Sequence, residues 1–170
     1  MSIYIPAEAV SGKSKIIALN QSAEDIIKCL LMAEKGSRFI YPILRAYFIT
    51  NDSYTTLNNI WNYAKKNIVY IKESAENQTV RTVPRILRNS KAITGDCKHM
   101  ATFCVCSALA CGIKAYFRLV SFNSNKSTPT HVYCVALIGS RKVYLDAVLN
   151  TFDTEPNNIK FVQDVKPNYN

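Results

Sequence analysis

The sequence predicts an α+β domain, and three observations carry that prediction. Apolar residues at helical spacing dominate the first part of the chain, and the stretch from Cys97 to Cys111 is apolar on nearly every side. Three strand-like runs then follow, the last two separated by a short turn. Helices, then one buried helix, then strands close in sequence describe segregated α and antiparallel β structure, not the alternation of a parallel sheet. The 170 residues are 48% hydrophobic and 19% charged, which is enough apolar material for one core and too little charge for general disorder.

Residues 1–20 show no firm period and read as an N-terminal arm, leaving 21–170 as a single domain with its core over 57–155. Ser22, followed by Glu24 and Asp25, reads as a helix start. Ile26, Ile27, Leu30 and Leu31 form its apolar stripe, and Gly36 is its expected end. An aromatic-rich helical stretch near 37–49 comes next, around Tyr41 and Pro42. From Ser53 to Ile68, the spacing of Leu57, Ile60, Trp61 and Ala64 predicts another amphipathic helix. Asn67 to Ile71 reads as extended, and 72–96 as a polar lead-in containing Pro84.

The all-round apolar stretch begins at Cys97, directly after Thr94-Gly95-Asp96, and Gly112 is its natural stop. Ala115–Phe122, His131–Ile138 and Lys142–Ala147 read as strands, with Gly139-Ser140 turning the last two into a hairpin. Asn123–Thr130 is a polar loop, and the tail from Pro156 is expected as an edge strand or irregular.

Six cysteines in a chain whose start lacks the pattern of a signal peptide read as reduced thiols. On a helix, Cys97, Cys104 and Cys111 stand about 10 Å apart in rise, beyond the roughly 7 Å Cα limit of a disulfide. No apolar run is long enough to span a bilayer, so the chain is expected to be soluble and made in the cytoplasm. Lys and Arg number 21 against 12 for Asp and Glu, a net charge of +9. That balance suits anionic partners, nucleic acid among them. The basic residues are scattered, however, with Lys65-Lys66 and Arg141-Lys142 the adjacent pairs, which fits a solvated basic surface better.

The chemistry rests on Cys97, His131 and Asp146. A thiol attacks as thiolate, and a helix N-terminus favours that form through its unpaired N–H groups. Gly95 just before it is expected to let a substrate backbone approach. His131 opens a strand after a polar loop, and the hairpin makes Asp146 a candidate cross-strand neighbour. An aspartate on the second imidazole nitrogen fixes the tautomer and supports the imidazolium. Cys97 alone would read as core packing; the three together read as nucleophile, base and orienting carboxylate.

Gly95-Asp96-Cys97 opening an alanine-containing helix, Gly112-Ile113 after it, His131-Val132-Tyr133 and Leu145-Asp146 together resemble the transglutaminase-like superfamily of papain-related thiol enzymes. The resemblance covers 57–155, with Trp61 and Asn67–Tyr70 upstream. Gln78–Pro84 and Phe152–Glu155 are similar to copies found in phage and prophage genomes. The resemblance implies a papain-like/transglutaminase-like core, a Cys-His-Asp triad, and acyl transfer from an amide of a protein, a peptide or peptidoglycan, with hydrolysis favoured over crosslinking. It implies no cofactor and no metal. Gln78 is the side-chain candidate for an oxyanion donor, beside the Cys97 N–H. Trp61 and Arg81 are candidates for lining a substrate groove.

Competing readings attach to the same residues. Cys97 and His99 with Cys104 and Cys106 suggest zinc, but a Cys-x-Cys within a continuous helix turns its thiols to different faces. Cys29, Cys104, Cys106, Cys111 and Cys134 read as core, and His99 as a surface or supporting residue. The alternative in function is a non-catalytic structural or assembly protein of a phage that retains the fold.

Overall fold

A computed structural model of the chain describes residues 22–74, 78–88, 93–123 and 129–169; the arm expected at 1–20 lies outside them. Helix α1 (Ala23–Ser37) starts where Ser22 and Asp25 cap one another, each side chain accepting the other's backbone N–H at 3.3 Å. Gly36 does not end it. The chain continues through a 3-10 turn (Arg38–Ile40) straight into α2 (Tyr41–Phe48), with Pro42 in the first turn of α2. A Cβ on Gly36 would lie 3.1 Å from the Thr82 methyl, so this glycine marks a close approach and not a stop.

Helix α3 (Ser53–Asn67) is capped by Asp52, whose Oδ2 accepts the Thr55 N–H at 2.7 Å. Its stripe of Leu57, Ile60, Trp61 and Ala64 is buried as the spacing predicts. Strand β1 (Ile68–Tyr70) pairs in parallel with β2 (Ile93–Gly95), Tyr70 standing opposite Gly95. The 72–96 segment is therefore more than a polar lead-in, since it also holds helix α4 (Val83–Leu87). One helical turn and a three-residue strand are too short to leave a period in the sequence.

Helix α5 (Cys97–Ala110) is buried at every position except Cys97 and Leu109. It ends in Gly112, whose φ of +79° is the left-handed conformation that closes a helix. Strands β3 (Ala115–Ser121), β4 (His131–Ile138), β5 (Arg141–Leu145) and β6 (Phe161–Val165) form an antiparallel sheet in the order β5-β4-β3-β6. One face, with Phe117, Leu119, Cys134, Ala136 and Leu145, belongs to the main core with α5, and α1 to α4 enclose the rest of that helix. The tail supplies an edge strand, β6, along β3.

The outer face carries a second cluster of Tyr116, Val120, Tyr133 and Val135. Buried Arg118 lies among them, paired with Asp164 at 2.7 and 2.8 Å and with Glu155 at 2.7 Å. Tyr133 donates its hydroxyl to the same Glu155 oxygen at 2.9 Å. A buried guanidinium is tolerated only with such pairing, and here it ties β6 and the 155 region to the sheet. Among the described residues, no helix is long and apolar enough to cross a membrane.

Phe103 stacks on Tyr63 at 5.1 Å and meets Phe48 edge-on at 5.9 Å, with no solvent exposure. Phe103→Ala is expected to lower stability by about 3–5 kcal/mol, read from the urea midpoint.

Candidate active site

Cys97 is the first residue of α5, and Asp96 is its N-cap. Asp96 Oδ1 accepts the Lys98 N–H at 3.0 Å, and its carbonyl accepts those of His99 and Met100 at 3.1 Å. The Asp96 N–H donates in turn to His99 Nδ1 at 3.1 Å, a capping box closed by histidine. Of the two readings of His99, surface or supporting, the structure selects the second, since the ring is fully buried against Asp96. The placement also corrects one expectation. The space left by Gly95 is taken by His99, whose Cβ would lie 2.6 Å from an added Cβ, so the close approach is internal and not a substrate's. Half-buried Cys97 is left at the open end of an otherwise dry helix, in the position where helix-end N–H groups favour a thiolate.

His131 opens β4 beside it. The register pairs Leu145 with Cys134, so one further step brings Asp146 level with Tyr133, diagonal to His131 and not directly opposite. The Asp146 side chain spans the offset, its Oδ2 lying 2.6 Å from His131 Nε2. A carboxylate only accepts, so Nε2 carries the proton and Nδ1 is left to take one. The Cys97 thiol lies close enough to interact with the ring. Burial alone would lower the basicity of His131, but its interactions with the Asp146 carboxylate and with Cys97 outweigh it and raise the pKa to about 9.

Asp146 is buried, and its own position is built from elsewhere. Its Oδ1 accepts the Val148 N–H at 3.1 Å. Its carbonyl accepts the indole N–H of Trp61 at 3.0 Å, and Lys65, one turn along α3, donates to the Val148 carbonyl at 3.1 Å. Trp61 is thus not a groove residue. Its apolar face belongs to the buried stripe of α3, and its one donor holds the chain at Asp146. Arg81 does not line the groove either, because it donates to the Thr94 carbonyl at 3.1 Å and lies 3.7 Å from Glu73.

A cleft opens over Cys97. Ile26, Leu119 and Val132 form an apolar wall, and Lys72, Gln78 and Lys98 a polar one, with His131 at the junction. Gln78 is in the cleft, but its amide nitrogen donates to the Ser74 and Glu73 carbonyls at 2.6 and 3.4 Å. Its oxygen accepts from Lys98 at 2.6 Å, an arrangement that leaves no donor for an oxyanion. Behind this wall Lys98 also meets the Asp96 carboxylate and lies 3.4 Å from Glu73. Thr79 links Glu73 to His99 Nε2, the latter at 3.3 Å. Glu73, Thr79 and Lys98 carry no motif of their own, and Lys65 stands out in the sequence only as one of an adjacent basic pair. The i,i+4 spacing of Trp61 and Lys65 was visible, but its target was not.

Burial raises the other thiols, Cys106 to about 12, Cys111 to about 11, and Cys104 and Cys134 upward as well. Cys104 feels Asp146 while Cys106 contacts Ser37 and Tyr41, so the two point to different sides of α5. None of the six cysteines is in a disulfide, and among the described residues no group of three or more His, Cys, Asp or Glu is placed to hold a metal ion.

Neither a protein-family model nor a curated protein matches the chain. Solved structures do. A candidate cysteine protease from Cytophaga hutchinsonii superposes with a TM-score of 0.51 at 21% identity, over 84% of this chain and 46% of that one. A candidate protease from Parabacteroides distasonis ATCC 8503 gives 0.60 at 15% identity, over 78% and 27%. Legionella pneumophila LapG gives 0.48 at 15%, over 79% and 77%. The chain therefore shares the α+β, papain-like fold of the first two and spans less than half the length of either.

Two outcomes follow from the geometry. In NMR titration the His131 ring is expected to lose its proton near pH 9, and Asp146→Asn to move that midpoint down. The imidazolium's contribution to stability is full below the ordinary histidine value of about 6.5 and is lost as pH rises through about 9. Trp61→Phe keeps an aromatic ring in the core but removes the donor to Asp146. It is expected to cost about 1–2 kcal/mol by urea unfolding and to lower the His131 midpoint as Asp146 loosens.

Proposed function

We propose that the protein is a thiol-dependent amide hydrolase acting on a protein or peptide, with Cys97 as nucleophile, His131 as base and Asp146 as its orienting carboxylate. The observation that carries this reading is the ring of His131 held between Asp146, at 2.6 Å, and the Cys97 thiol at the mouth of a buried helix. The shared fold of two candidate cysteine proteases supports it.

The steps follow from the placement. His131 Nδ1 takes the Cys97 proton, and Asp146 stabilises the imidazolium that forms. The thiolate attacks the amide carbonyl, and the oxyanion develops beside the start of α5. Lys98, His99 and Met100 give their N–H groups to Asp96, whereas that of Cys97 has no protein acceptor among the described residues and is the donor for the oxyanion. The imidazolium then protonates the leaving amine, so the C–N bond breaks and a thioester remains. Water, deprotonated by His131, releases the acid and restores the thiol. An amine in place of water would give acyl transfer by the same steps; the open cleft over Cys97 admits water, and hydrolysis is the reading retained.

The substrate setting rests on the resemblance to phage and prophage copies, under which the amide belongs to a protein or to peptidoglycan. Nucleic acid has less in its favour, since Lys65, Lys98 and Arg118 of the basic set are engaged inside the fold.

With iodoacetamide at limiting concentration, Cys97 is expected to be labelled well ahead of the five buried thiols. Cys97→Ala should abolish the fast phase. Labelling of all six at similar rates, or an ordinary thiol titration at Cys97, would leave the fold with a silent site and support the structural-protein alternative.

A further inference from the structure

The cluster behind the polar wall is the largest group of buried charged side chains outside the Cys97–His131–Asp146 arrangement, and the steps above make no use of it. It closes on itself. Asp96 Oδ1 meets His99 Nδ1 at 2.9 Å, His99 Nε2 meets Thr79 Oγ1 at 3.3 Å, and Thr79 bonds Glu73. Glu73 lies 3.4 Å from Lys98, and Lys98 returns to the second oxygen of Asp96. The loop after β1 is thereby sewn to the first turn of α5.

The cluster also poses an electrostatic problem. Asp96 is a buried carboxylate one residue from the thiol that must ionise. Burial would push its pKa up, but the close contact with His99 and the Lys98 charge hold it below the usual carboxylate value, so it remains an anion. An anion beside a developing thiolate opposes it. Arg81 stands 3.7 Å and Lys98 3.4 Å from Glu73, and of these two cations only Lys98 also meets Asp96. The two carboxylates are thus matched by two cations.

We infer that Lys98 is a positioning residue for the nucleophile: its buried ammonium neutralises the capping carboxylate of Asp96, so that the cap can close α5 without suppressing the Cys97 thiolate. The inference rests on the reading of Cys97 as nucleophile. The other groups around the thiol are His131 from β4 with Asp146 behind it, Tyr70 at the end of β1, and Lys72 and Glu73 on the loop beyond. Tyr70 is itself pushed up, first by burial and then by Cys97, Asp96 and Asp146, which places these negative charges within reach of one another. None of the other cations touches Asp96, and this separates Lys98 from them.

The test is the pH profile of Cys97 alkylation by iodoacetamide, read by mass spectrometry on the full chain. Lys98→Gln is expected to move the thiolate midpoint upward by about one pH unit. Asp96→Asn keeps a capping oxygen and removes the charge, so it should move the midpoint downward. The double variant should return close to wild type. A merely structural role predicts no such reversal of sign. An unmoved midpoint in folded Lys98→Gln overturns the inference, as does a downward shift. If Lys98→Gln fails to fold, Asp96→Asn alone decides, because an unmoved or raised midpoint there overturns it equally. A wild-type Cys97 titrating as an ordinary thiol would instead overturn the nucleophile reading, independently of the variants.

Discussion

Helix α5 lies dry on nearly every side, and its first turn must therefore satisfy its own backbone donors without water. Asp96 does this with both side chain and carbonyl, and His99 returns a bond to the Asp96 N–H. Everything at the cleft follows from that constraint. The cap fixes where the helix begins, and so places Cys97 at the one open end of a buried element. With Asp96 in that role the cap also brings a carboxylate to the site, and Lys98 meets it. A helix capped by solvent would need neither Lys98 nor the loop that Lys98 gathers in.

The partners of the thiol are held in a different way. His131 takes its place from a strand, which is rigid, but Asp146 sits just past the end of β5, where ladder hydrogen bonds stop. Helix α3 makes up for this from outside the sheet, with Trp61 and Lys65 binding two backbone carbonyls of the turn. Phe152 packs on the Trp61 ring at 5.9 Å and closes the turn from the other side. The imidazole is thus oriented by a carboxylate whose own position depends on helix-to-turn packing. Such layered support is what keeps a reactive constellation within hydrogen-bonding distance.

The same fold occurs in two longer proteins described as candidate proteases, at 21% and 15% identity. Identity this low carries architecture only, so the chemistry has to be argued from the side chains at the cleft. Those side chains are a thiol at a helix start, an imidazole, and a buried carboxylate 2.6 Å from it. Apolar residues of α1, β3 and β4 and polar residues of the loop after β1 line the cleft around them.

Much was legible in the chain itself, because it was written in local patterns. Ser22 and Asp25 start α1, the stripe of α3 buries as its spacing implies, and a run apolar on all sides had to be a central helix. Gly112 ended that helix, and Gly139-Ser140 turned the hairpin. The nearness of His131 and Asp146 could be inferred because strand start and strand end are positions that a short hairpin brings together. What only the tertiary structure decided depends on contacts between distant segments. Gly36 looked like a stop and is a gap for Thr82; Gly95 looked like an opening for substrate and is a gap for His99. Trp61, Arg81 and Gln78 looked available for a substrate, yet their donors are engaged by Asp146, Thr94 and the loop carbonyls. A glycine or a polar side chain records in the sequence that something must approach it, but only the folded chain supplies what does.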